Sequence, residues 1–198
     1  MEKKEDIAIL FPGLSLKDYY KEDPGRFRTI VSVNFASHLF SSDYVALYDI
    51  DCNDLLAGMI EPTKGYITKP AFPAFEGKEI VISPIHGLNK RRLVAPSDPL
   101  FDHMSKTPRY TATFAFGQAL EWLRTGEEIH CFGLDLKPEY DCVGQGIALR
   151  SNKRFLSEII WMRLLGGSRA NILSNAYLEV KHFIKTGEGF KDVLRLYS

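Results

Sequence analysis

Two aspartates in this chain each close an apolar run: Asp49 ends DYVALYD and Asp135 ends IHCFGLD. A carboxylate at the carboxyl end of a buried strand costs stability unless a donor or ligand satisfies it, and that edge is where open α/β sheets bind their ligands. Carboxylate oxygens suit Mg2+, which keeps several waters and leans on substrate phosphates. Asp49 and Asp135 are therefore the candidate metal ligands, and Asp135 is also a candidate catalytic residue and ribose contact. Asn34 follows the β-branched run Thr29 to Val33 and brings an amide to the same edge. Asp51 and Asp54 read as caps of a following helix, and neither that group nor Asp98, Asp102 and His103 has zinc-ligand spacing.

Proton transfer at neutral pH calls for imidazole, and His86 and His103 lie in the irregular stretch 84–109, where they are the candidate general bases. His130 falls inside an apolar strand and reads as a hydrogen-bonded core residue, while His38 belongs on a helix surface. Lys90, Arg91 and Arg92 form the one dense basic cluster. Arg91 or Arg92 would offset charge on a diphosphate leaving group; the competing reading is a solvated loop. Ile7 to Phe11 runs into Pro12, Gly13, Leu14 and Ser15, a strand, a glycine turn and a helix start. Such a turn aims backbone N–H groups above the sheet, so Gly13 and Ser15 are candidate phosphate contacts, with Ser15 the expected N-cap.

These residues need a scaffold that brings strand ends together. Apolar runs at 7–11, 29–33, 43–49, 66–68, 79–83, 129–132 and 170–174 alternate with helical or irregular segments, which predicts a doubly wound α/β sheet. From Thr111 the spacing of Ala115, Ala119, Leu120 and Leu123 predicts a helix with these residues buried. Phe114, Gln118 and Glu121 mark another side, and Gly126 is the stop. A last long helix is expected over 151–165, with Phe155, Ile159 and Met162 on one stripe. A loop is expected over 137–150 and a short amphipathic helix near the C-terminus. The whole reads as a single Rossmann-like α/β domain of mainly parallel strands with helices on both faces.

The succession FPGLSL, VSVN, DYVALYD, YTAT and IHCFGLD resembles the nucleotide-binding core of the bacterial sialyltransferase-like and MptE-like (DUF115-type) Rossmann-like superfamily. The resemblance covers about residues 7–50 and 108–165. Pro12-Gly13-Leu14-Ser15 stands where that group has Gly-Pro-Ser-Leu, and Thr111-Ala112 where it has Ser-Gly. It implies a nucleotide or nucleotide-sugar ligand, with Thr111 and Thr113 binding at the second helix start, and glycosyl transfer as the activity. Two alternatives stay open: an MptE-like diphosphotransferase in which Asp49 and Asp135 hold an obligatory Mg2+, and a non-catalytic nucleotide-binding module.

Several classes drop out. No GxSxG, GxxxxGK[ST] or GxGxxG occurs, which disfavours a serine hydrolase, ordinary P-loop chemistry and dinucleotide-dependent redox work. The 25 basic and 25 acidic residues cancel, so no global field attracts nucleic acid. Three cysteines without a CxxC pair, no apolar leader after MEKKED and no long apolar stretch predict a cytoplasmic protein without a membrane span. A homo-oligomer is left open.

Overall fold

The computed structural model describes residues 6–48, 56–70, 75–98, 101–134, 152–166 and 170–172. Its strands are β1 (Asp6–Leu10), β2 (Phe27–Val33), β3 (Tyr44–Ala46), β4 (Gly65–Thr68), β5 (Glu79–Ile82), β6 (Ile129–Phe132) and β7 (Ala170–Ile172). All belong to one sheet in the order β5-β4-β3-β2-β1-β6-β7, and every pairing is parallel. The short, continuously apolar runs of the sequence are the mark of strands covered on both faces. β1 fits this, since all five of its residues are buried.

Alternation along the strands divides the core. Ile7, Ile9, Val31, Val33, Ile129 and Cys131 face one way and pack against α1 (Thr111–Trp122) and α2 (Asn152–Gly166), chiefly Ala115, Phe116 and Trp161. Ala8, Leu10 and Phe132 face the other way, beneath Leu16, Tyr19 and Ala36 of two 3-10 segments, Leu14–Lys21 and Asn34–His38, and Phe27 joins them because a register shift between Phe27 and Thr29 interrupts the alternation of β2. Both faces are thus covered, by α-helices on one side and by 3-10 segments on the other.

The path of the chain sets which strand ends meet. β1 to β5 march outward in sequence; α1 then carries the chain back so that β6 lands on the far side of β1. The direction of winding reverses between β1 and β6, the usual crevice of an open α/β sheet. Here the crevice is stitched together. Phe11 N donates to Phe132 O at 2.8 Å and Gly13 N to Gly133 O at 2.9 Å. Gly133 has φ +74°, and a Cβ on it would lie 2.2 Å from Phe11 O. Only glycine lets the two strand ends approach this closely.

Three sequence expectations are revised. Gly13, rather than Ser15, is the residue preceding the first helical segment, and it makes no side-chain cap. Phe114 and Gln118 are buried along with the alanines, because α1 is packed on two sides, against the sheet and against the segment carrying Ile85. Gly117 is part of this packing, since a Cβ there would lie 2.8 Å from Ile85 carbons. α1 ends at Trp122, before Gly126, which takes φ +85° in the following turn. The loop expected over 137–150 and the C-terminal helix lie outside the described residues.

Candidate functional site

The carboxyl edge of β2 to β5 carries an unusual set of oxygens. Asn34 Oδ1, just past β2, Thr68 Oγ1 at the end of β4 and Ser83 Oγ just past β5 are buried with no hydrogen-bond partner among the described residues. Thr111 Oγ1 and Gln118 Oε1 of α1 share that condition. A buried polar atom without a partner costs about 1–3 kcal/mol, so each such atom calls for a water or a ligand group. Asn34 adds a second sign of function: it is the only non-glycine residue with positive φ among the described residues, at 48°. Strained backbone of this kind collects at binding sites.

Aromatic packing ties part of this set together. Phe114 of α1 stacks on Tyr48, just past β3, with centroids 3.9 Å apart and planes 1° from parallel. Thr111 and Gln118 stand three residues before and four after Phe114, on one face of α1. Ile85 joins Tyr48 and Phe114 in one cluster. The exposed His86 ring lies 6.4 Å from Tyr48 and 6.0 Å from Phe114. Burial raises the Tyr48 phenol to about 12, against the pull of the Ser83 backbone N–H beside it, so the hydroxyl stays neutral at any ordinary pH. Ser83 and His86 therefore flank a neutral aromatic pair, and Thr111 and Gln118 share the α1 face that carries Phe114.

Two places that suit an anion are filled from within. The Gly13 N–H is committed to Gly133 O, as described above. At the start of α1 the Glu158 carboxylate of α2 accepts from Arg109 N at 3.1 Å, from Tyr110 N at 3.3 Å and from Thr113 Oγ1 at 2.6 Å, with Ser105 Oγ at 3.4 Å. A helix N-terminus favours negative charge, and here the protein's own glutamate supplies it. Burial nevertheless raises the Glu158 carboxyl above its ordinary value, with the Thr113 hydroxyl and the two backbone donors working against that rise. Ser157 and Trp161 of α2 complete the junction by bonding Ser105.

The structure thus separates the residues picked out in the sequence. Asn34, Thr111 and His86 lie among the partnerless oxygens and the aromatic pair, whereas the Thr113 hydroxyl belongs to the α1–α2 junction. His103 sits in the 3-10 turn Phe101–His103, where burial pushes its imidazole below the ordinary value while Asp102 works the other way. Arg91 and Arg92 are exposed in the turn Lys90–Arg92; its neighbour Lys90 is the anchor, bonding Phe101 O and Met104 O. Ser15 is half-buried in the first 3-10 segment. Asp49 and Asp135, and with them the proposed Mg2+ ligands, lie outside the described residues. Ser83, Gln118 and Glu158 were not singled out in the sequence. Glu158 had one signal: it stands four residues before Met162, on a stripe otherwise read as apolar.

Among the described residues no helix is long and apolar enough to cross a membrane. Comparison with known proteins finds no matching family model, no matching curated protein and no matching solved structure.

Proposed function

We propose that the protein binds a nucleotide or nucleotide-sugar at the carboxyl edge of its sheet and transfers the glycosyl group. One observation carries the binding half of this reading: the partnerless oxygens of Asn34, Ser83 and Thr111 at that edge, with Gln118 about two turns further along α1. Hydroxyls and amide oxygens match the hydroxyls of a ribose or sugar and the donors of a base edge better than they match phosphate. The phosphates would extend toward the exposed Arg91 and Arg92. Transfer rests on the resemblance of the motifs, with His86 as the base and Asp135 holding a ribose or Mg2+.

Titration calorimetry against a panel of nucleotide-sugars, on wild type and Gln118→Met, tests the assignment. The change keeps the volume and deletes the unpartnered oxygen. Binding is expected to weaken about tenfold, the worth of one lost hydrogen bond, while the unliganded protein gains stability. Unchanged affinity would remove Gln118 from the site.

A second reading, a nucleotide-binding module without turnover, draws on Glu158, which already occupies the helix start assigned to the ligand. Its signature is saturable binding with no product. The MptE-like diphosphotransferase differs from both by losing all activity in EDTA.

A further inference from the structure

We infer that Asp6, Glu128 and His130, at the amino edge of the sheet and opposite the proposed ligand site, form a binding site for a divalent transition-metal ion of the Zn2+ class. His130 Nε2 lies 3.0 Å from Asp6 Oδ2 and 3.8 Å from Glu128 Oε2, and one ligand atom from each residue falls within 4.8 Å of the others. Bonds of about 2.0–2.1 Å in a tetrahedron place ligand atoms roughly 3.3 Å apart, so small side-chain rotations close three ligands on one ion. An imidazole nitrogen with two carboxylates is a donor set for Zn2+ and its neighbours, whereas Mg2+ and Ca2+ prefer oxygen alone. The Asp6 carboxylate is already oriented: its other oxygen accepts from Glu128 N at 2.9 Å. Outer hydrogen bonds of this kind commonly hold metal ligands in place.

A second observation concerns Arg26. Its Nη2 lies 3.3 Å from His130 Nε2 and 3.4 Å from Asp6 Oδ2. One imidazole nitrogen cannot both donate to Asp6 and accept from Arg26, so one of the two contacts is unfulfilled whichever way the ring is protonated. An ion between His130 and Asp6 removes that conflict, because both atoms then face a positive charge with lone pairs. The guanidinium has somewhere to go. Its side chain is 38% exposed and is held by Glu22 through Nη1 at 2.7 Å. Arg26 is therefore a cationic stand-in that an ion displaces toward Glu22.

The test is calorimetric titration of chelator-stripped protein with Zn2+ and, separately, Mg2+, on wild type, Glu128→Gln and Arg26→Gln. Glu128 is 55% exposed on its side chain, so its substitution leaves the fold intact, which circular dichroism checks. Wild type is expected to bind Zn2+ and not Mg2+. Glu128→Gln should weaken Zn2+ binding by about tenfold or more, and Arg26→Gln should tighten it several-fold by removing the competing charge. No Zn2+ binding by wild type, equal binding by Glu128→Gln, or weaker binding by Arg26→Gln would each overturn the assignment.

Discussion

At Glu158 burial and hydrogen bonding act on one carboxyl in opposite senses, and burial prevails, so the folded-state pKa lies above the ordinary value of 4.5. The folded state then binds the proton more tightly than the unfolded chain does. Stability from this group is greatest below the unfolded value, declines as pH rises through the raised folded value, and stays lower above it. Urea unfolding of wild type across pH 4 to 8 should show that decline, and Glu158→Gln should lack it. Glu158→Ala should cost about 3 kcal/mol at neutral pH, because it leaves the Thr113 hydroxyl and two backbone donors buried without an acceptor. Asn34 offers the complementary case. Asn34→Gly keeps the positive φ without strain and removes the amide, so thermal unfolding should move little while ligand affinity falls about tenfold. An equal loss of stability and binding would make Asn34 structural. Asn34 was legible in the sequence because it ends an apolar strand. Ser83 and Gln118 were not, because nothing local marks a buried hydroxyl or amide as lacking a partner.

The strands were the most legible elements, since apolar runs such as IAIL point to a sheet covered on both faces, but burial was not legible at the edge: Ile80 and Ile82 of the equally apolar β5 are exposed. What the sequence hid were contacts between distant segments. Gly133 reads as part of a Gly-Leu-Asp strand end, yet its reason is the 2.2 Å that a Cβ would leave to Phe11 O. Gly133→Ala combines that clash with a strained φ and should destabilise by at least about 2 kcal/mol, read from the urea midpoint. Arg28 at the start of β2 clasps Glu127 before β6 through two bonds, at 3.0 and 2.7 Å, and also donates to Trp122 O. The Arg28 hydrogen bond holds the Glu127 carboxyl below its ordinary value, with the Arg124 N–H helping and burial opposing. This contribution has the opposite sign to that of Glu158. It is fully present above pH about 4.5 and is lost as pH falls through the lowered folded value. Arg28→Met should therefore lower stability at neutral pH and flatten its loss in acid; an unchanged acid limb would contradict the assignment.

On the scale of the molecule, the seven-stranded parallel sheet places its loops and the start of α1 at the carboxyl edge. The edge was foreseen from strand ends alone, because parallel strands joined by crossovers must all finish on one side. The division of labour along it was not. The β1–β6 crevice is closed by the Gly13–Gly133 bond and the α1 start is filled by Glu158, whereas the partnerless oxygens of Asn34, Thr68 and Ser83 lie at the ends of β2, β4 and β5. In the proposed function a nucleotide or nucleotide-sugar bonds to those oxygens. The most direct measurement is a thermal-shift titration against nucleotides and nucleotide-sugars, with and without Mg2+. A ligand at about 100 times its dissociation constant stabilises the fold by roughly 2.7 kcal/mol, a rise of several degrees for a chain of this size. Such a rise is expected with one class of nucleotide-sugar, reduced in Gln118→Met and Asn34→Gly. No rise with any member of the panel, or an equal rise in both variants, would contradict the proposed function.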